Sequence, residues 1–213
     1  GALRGVPVAA GGSVVVVWES DDVRLKSLDA GTGTVRWEQA IPNRAGTPTV
    51  AGDTVVVGAG TGPRDGTAFA FALADGALQW KSRVGASFPP ESEPTIGGDD
   101  VCLVDGLGGV SRLDVSTGQV HWHRALHEAV LVARPVVVGS SVHGGLIVTD
   151  AAREVVTVDR ATGRIRIRRH ASGVPMRLAR SRDLVLVAQR LVTRNQIQAY
   201  SADRLAAPAP GRG

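Results

Sequence analysis

The sequence is poor in the residues that usually carry chemistry. It has one cysteine, one methionine and one tyrosine in 213 residues, and its aromatic content is 4%. One cysteine excludes a disulfide within the chain, so cysteine usage leaves the redox compartment open. Cys102 lies in a valine-rich run, where a small buried apolar residue is expected rather than a reactive thiol. No run of eighteen apolar residues occurs, which excludes a membrane-spanning helix; Val14–Val17 and Val136–Val138 have the length of strands. There is no Gly-x-Ser-x-Gly elbow, and the serines are scattered through turn sequences, so no nucleophile and base assemble. The glycine-rich stretch Gly58–Gly62 lacks the Gly-Lys-Ser/Thr ending of a phosphate loop and reads as the start of a hairpin loop over 58–66.

Glycine, by contrast, is abundant at 27 residues, and it recurs with a period. The stretch Leu28-Asp29-Ala30-Gly31-Thr32-Gly33-Thr34-Val35-Arg36-Trp37 is a strand end, a polar turn and a return strand. It returns at Leu73–Trp80, at Leu113–Trp122 and, without the indole, at Val158–Ile167; a worn fifth copy opens at Tyr200. The turn glycines Gly33, Gly76, Gly118 and Gly163 are spaced 43, 42 and 45 residues apart. Trp37, Trp80 and Trp122 each follow their glycine by four residues, which implies one common slot, with the indole N–H reaching a backbone carbonyl of the next unit. Ile167 takes that place in the fourth copy and marks a weaker junction. A second marker has the same period. A proline leads a short β-branched run, a Gly/Asp turn and a valine-rich strand at Pro7–Val17, Pro48–Val57, Pro94–Val104 and Pro135–Val148. A period in the low forties filled with strands is the pattern of β-propeller blades.

The run Asp-x-x-Thr-Gly-x-x-x-Trp after a proline-led strand pair resembles the tryptophan-docking repeat of PQQ-type β-propellers. That group includes quinoprotein alcohol dehydrogenases and the non-enzymatic BamB-like propellers. The resemblance implies an all-β chain of four-stranded antiparallel blades. Five units are expected, at about 5–44, 45–87, 88–130, 131–171 and 172–205, the first and last incomplete, followed by a disordered tail over 206–213. Gly1–Arg4 stands where the end of an outer strand would sit. Relatives usually have seven or eight blades, and eight would need roughly 340 residues. The five units are therefore expected to be part of a larger propeller, whose open blade edges would permit self-association.

The resemblance places a vicinal Cys–Cys pair on the quinone of the enzymes, and a calcium held by Glu, Asn and Asp. This chain has one cysteine, and its two asparagines are Asn43 and Asn195, so no position takes over those roles. His121 and His123 flank Trp122 and His127 follows; they read as a solvated pair rather than a metal site. No catalytic, cofactor or metal residue is expected. Residues 160–213 hold twelve arginines and two acids, a net +10, against −6 for residues 1–159. Arg177, Arg180, Arg182, Arg190 and Arg194 are accordingly the candidate partner-binding residues. Only Tyr200 could interleave with them, which disfavours nucleic acid. The function expected is a non-catalytic scaffold that binds a protein or peptide. The alternatives are a fragment of a quinoprotein dehydrogenase and the sensor domain of a bacterial Ser/Thr kinase. An extracytoplasmic location is implied by the resemblance alone.

Overall fold

Each repeat supplies short, β-branched strands with turn residues between them, and a strand of five to seven residues presents only two to four side chains to each face. Such strands are stable only as sheets stacked on other sheets. The computed structural model describes residues 1–42, 45–62, 64–86, 88, 92–125, 132–138, 145–149, 154–181, 184–191 and 193–201. In it, consecutive strands pair antiparallel into successive blades.

The first blade is β1 (Ala2–Ala10), β2 (Ser13–Glu19), β3 (Val23–Asp29) and β4 (Val35–Ile41). The second is β5 (Thr49–Ala51), β6 (Thr54–Ala59), β7 (Thr67–Ala72) and β8 (Leu78–Arg83). The third is β9 (Thr95–Gly97), β10 (Asp100–Val104), β11 (Gly109–Asp114) and β12 (Val120–Ala125). The fourth is β13 (Val132–Val138), β14 (Gly145–Thr149), β15 (Glu154–Asp159) and β16 (Ile165–His170). The fifth has β17 (Val174–Ser181), β18 (Leu184–Arg190) and β19 (Asn195–Ser201). The first strands touch in the order β1, β5, β9, β13, β17, and among the described residues no comparable contact returns β17 to β1.

The core lies between blades. Val15, Val17 and Leu25 of the first meet Val55, Val57 and Phe71 of the second. Val56, Ala68 and Ala70 then meet Val101, Leu103 and Leu113. Cys102, Val104 and Val110 meet Val156 and Val158, and Val155 meets Val185 and Val187. Cys102 is fully buried, and burial pushes its thiol up to about 12. It is an inert core residue, as its sequence context suggested.

The first unit departs from expectation: it is a complete four-stranded blade. Ala2–Arg4 is not an outer-strand remnant but the start of β1, paired with Val17–Glu19. Gly5 at φ 67° and the donor-less Pro7 break the ladder between Arg4 and Val8, and this interruption hides the strand's continuity in the sequence. The fifth unit has three strands among the described residues, and the 206–213 tail lies outside them.

Candidate functional site

The geometry that repeats along the chain lies at the blade junctions, and the turn builds it. Asp29 accepts the N–H groups of Gly31 and Thr32 and the Thr32 hydroxyl. Asp114 does the same for Ser116 and Thr117, and Asp159 for Thr162. The turn closes through a residue with positive φ, 72° at Gly33, Gly76 and Gly118 and 71° at Gly163, a conformation glycine adopts without cost.

One extra residue then re-aims the return strand. Val35 lies opposite Leu28 but Trp37 lies opposite Ser27, so Arg36 is a bulge. The bulge recurs at Gln79, His121 and Arg166. Side chains alternate along a strand, so without the bulge Trp37 would share the face of Val35; with it, the indole turns toward the next blade. The bulged side chain is tied back: Arg36 to Ser13 and Asp29, Gln79 to Thr54, His121 to Asp100, and Arg166 to Asp159.

The indoles meet the expectation from sequence. The Trp37 N–H donates to the Leu73 carbonyl at 2.8 Å, that of Trp80 to Val115 at 2.9 Å, and that of Trp122 to Arg160 at 2.9 Å. Each ring is at most 8% exposed and covers the next blade's turn glycine. A Cβ on Gly76, Gly118 or Gly163 would sit 2.7, 2.5 or 2.8 Å from the indole of the preceding blade, whereas one on Gly33 would meet nothing within 4 Å. Gly33→Ala is therefore expected to cost about 1–2 kcal/mol from backbone strain. Gly118→Ala adds a collision with Trp80 and should cost about 2–5 kcal/mol in all. Urea unfolding of the two variants side by side measures the difference. Ile167 holds the equivalent register opposite Thr157 and is half-buried, so the fourth junction has no indole donor.

The carboxylates of these turns are held below their ordinary range. For Asp29 the first cause is the Arg36 guanidinium, then the Thr32 and Gly31 donors. For Asp114 it is the Ser116 hydroxyl, then Thr117, and its pKa falls to about 2. For Asp159 partial burial pushes upward, but Thr162 and Arg166 outweigh it. A folded value below the unfolded one, about 3.9, means stabilisation that is complete above that pH and is lost as pH falls through the folded value. The thermal midpoint should be level from about pH 5 to 7 and drop between about pH 4 and 2. Asp114→Asn, which binds no proton in this range, should show a shallower drop.

Two buried polar groupings were not legible in the sequence. At the third junction Asp100 accepts a hydrogen bond from Arg160 at 2.7 Å and forms an ion pair with Arg112 at 2.8 Å. Both guanidiniums are largely buried, and Arg160 comes from the fourth blade, the other two from the third. The other grouping is Ser111, His123 and Asp105. The Ser111 hydroxyl and His123 Nδ1 are 2.9 Å apart, and Gly85 and Gly109 lie against both His123 and Asp105. These are the residue types of a nucleophile and its base. Ser111, however, is 1% exposed, and the Asp105 carboxylate already accepts the N–H groups of Ala86, Leu107 and Gly109. The Ala86 bond crosses from the second blade to the third, so the grouping is a tie between blades.

The other candidates scatter. His121 leans toward Asp100 and His123 toward Ser111, so they do not converge, and His127 lies outside the described residues. Among the described residues no three His, Cys, Asp or Glu side chains cluster as metal ligands. Gly58 and Ala59 belong to β6, with the Phe88 ring packed over Gly58, and Asp65 caps Thr61 and Gly62, so the hairpin loop begins only at Gly60. Arg190 and Arg194 are exposed at the β18–β19 end, whereas Arg180 pairs with Val185 about 17 Å away along the strand. Arg177 lies opposite Ala188, between those ends, and Arg182 is outside the described residues. The quinone site does not fit either: Cys102 is single and buried, Asn195 is exposed on β19, and Asn43 is outside the described residues.

Stacked antiparallel blades, the first three each locked to the next by an indole on a turn glycine, define a β-propeller of tryptophan-docking repeats. The chain belongs to the family described as outer membrane protein assembly factor BamB, whose sequence model matches residues 2–204. BamB from Moraxella catarrhalis superposes with a TM-score of 0.71 at 20% identity, over 87% of this chain and 56% of that one. The quinohemoprotein alcohol dehydrogenase ADHIIG from Pseudomonas putida superposes with a TM-score of 0.63 at 14% identity, over 86% of this chain and 42% of that one. At such identities these likenesses establish the fold alone. The serine/threonine-protein kinase AfsK of Streptomyces griseus is 36% identical over 152 residues, 65% of this chain and 18% of the kinase. The chain thus spans about half of the BamB structure and under a fifth of the kinase.

Proposed function

We propose that these residues form a non-catalytic segment of a β-propeller that recognises a protein or peptide partner. The observation that supports this is where the buried polar groups go. Asp100, Asp105, Ser111 and Arg160 are all engaged in ties within and between blades, and none opens onto a surface where a substrate could meet it. Purified chain supplied with PQQ, calcium, primary alcohols and an electron-accepting dye is expected to give no turnover above buffer. Turnover that requires the chain would overturn the reading.

A second, more specific reading is favoured by the kinase relationship: the propeller is the sensor domain of a bacterial Ser/Thr kinase, placed outside the cytoplasm. The 36% identity to AfsK is well above that of the solved propellers named here. Autophosphorylation of the protein that carries these residues should change when residues 1–213 are deleted. An unchanged rate, or the absence of any kinase sequence in that protein, removes this reading and leaves the first intact.

A further inference from the structure

We propose that the junction between the fourth and fifth blades binds a small aromatic carboxylate. Its ring lies in the slot that tryptophan fills elsewhere, and its carboxylate is held by Thr157, Tyr200 and Arg169. The proposal does not rest on the functional readings above. It starts from the junction that lacks an indole. Ile167 stands in the register of Trp37, Trp80 and Trp122, opposite Thr157. Each indole is at most 8% exposed, whereas the smaller Ile167 is half-buried. Solvent therefore reaches a slot that is sealed at the first three junctions.

Two hydroxyl groups are buried at this junction without a hydrogen-bond partner among the described residues, Thr157 Oγ1 and Tyr200 Oη. Strand register puts them on facing sides. Thr157 shares its face of β15 with Val155, which packs on Val185 and Val187 of the fifth blade. Tyr200 lies opposite Val185 and packs on that same cluster. At the first junction the matching residues are Ser27, opposite Trp37, and Phe71, opposite Val55, and Phe71 and Trp37 share one cluster. Phe71 shows that packing at this position needs no hydroxyl. Ser27 Oγ also lacks a partner, but there Trp37 fills the slot beside it. A buried hydroxyl left without a partner is costly, and a bound acceptor removes that cost.

Arg169 supplies the charge. It lies opposite Val155 and so shares the face that looks onto the fifth blade. It is exposed and has no acidic partner among the described residues. Burial raises the Tyr200 pKa, and the charge of Arg169 acts on the same hydroxyl in the opposite sense without overcoming burial. Tyr200 is thus a donor at neutral pH, close enough to Arg169 to feel its charge. With three donors converging, the ligand's polar group is an anionic acceptor, and the slot takes a flat apolar ring of indole size.

The test is calorimetric titration of the whole protein that carries these residues, with indole-3-acetate as the probe. Saturable binding is expected, with a dissociation constant on the order of 0.1 mM. Indole, which has the ring without the carboxylate, should bind at least about tenfold more weakly. Tyr200→Phe, which copies Phe71, should weaken indole-3-acetate by about tenfold. Ile167→Trp installs the repeat's own indole in the slot. It should abolish binding while the thermal midpoint stays at or above that of the parent, so the loss is not unfolding. No saturable binding to the parent overturns the proposal, as does binding that survives Ile167→Trp or is unchanged in Tyr200→Phe. Equal affinity for indole and indole-3-acetate overturns it too. None of these failures touches the reading of the propeller as a binder of proteins or peptides.

Discussion

Trp80→Ala is expected to lower the unfolding free energy by about 3–5 kcal/mol, read from urea denaturation. Three losses combine. The ring leaves a slot that it fills at 8% exposure; the Val115 carbonyl loses its indole donor; and the Gly118 turn loses the surface it packs on. Trp80→Phe restores most of the apolar area but not the donor, so it should recover part of the loss and leave a deficit of about 1–3 kcal/mol. Ser82 also donates to the Gly118 carbonyl at 2.5 Å, so the turn remains anchored in either variant and the cost reports mainly the indole. A cost below about 1 kcal/mol for Trp80→Ala would mean that the blades are held by their aliphatic faces alone. The turn at Gly33 supplies the internal contrast, since among the described residues no indole covers it.

The reason so much of this fold is readable in the sequence is that one packing problem is solved several times. Each blade needs a left-handed turn residue and a large ring at a fixed offset, so Gly33, Gly76 and Gly118 and their tryptophans repeat in register. The bulges at Arg36, Gln79, His121 and Arg166 are invisible by comparison. A bulge is a property of two paired strands, and the four residues that occupy it share no chemistry beyond reaching back to a polar group. The Asp100–Arg160 pair joins residues sixty apart, from different repeats. One signal for it does exist. The residue that presents the acceptor carbonyl is Leu73 in one blade and Val115 in the next, both turned inward, and Arg160 in the fourth. A charge at a position otherwise apolar calls for a buried counter-ion. The arginine-rich end shows the opposite limit: composition located the charge but not its arrangement, which depends on strand register.

That buried pair carries the other large expected effect. Asp100→Ala would leave Arg112 and Arg160, whose side chains are 11% and 6% exposed, without their shared carboxylate. An uncompensated buried charge typically costs about 3–5 kcal/mol, and two guanidiniums here would compete for what water can enter. The neighbouring junction shows how the same site is built without charge, with Thr54, Ala70 and Val115 in the positions of Asp100, Arg112 and Arg160. Installing that set as Asp100→Thr, Arg112→Ala and Arg160→Val should bring stability back to within about 1–2 kcal/mol of the parent, since a buried ion cluster exchanged whole for apolar residues is often neutral. The two results together separate the cost of breaking the cluster from the worth of having it. A severe single variant with a stable triple variant means the ions serve the order of assembly, matching the fourth blade to the third, rather than the strength of the junction. A triple variant as unstable as the single one would mean instead that the guanidiniums of Arg112 and Arg160 hold the blades together in their own right.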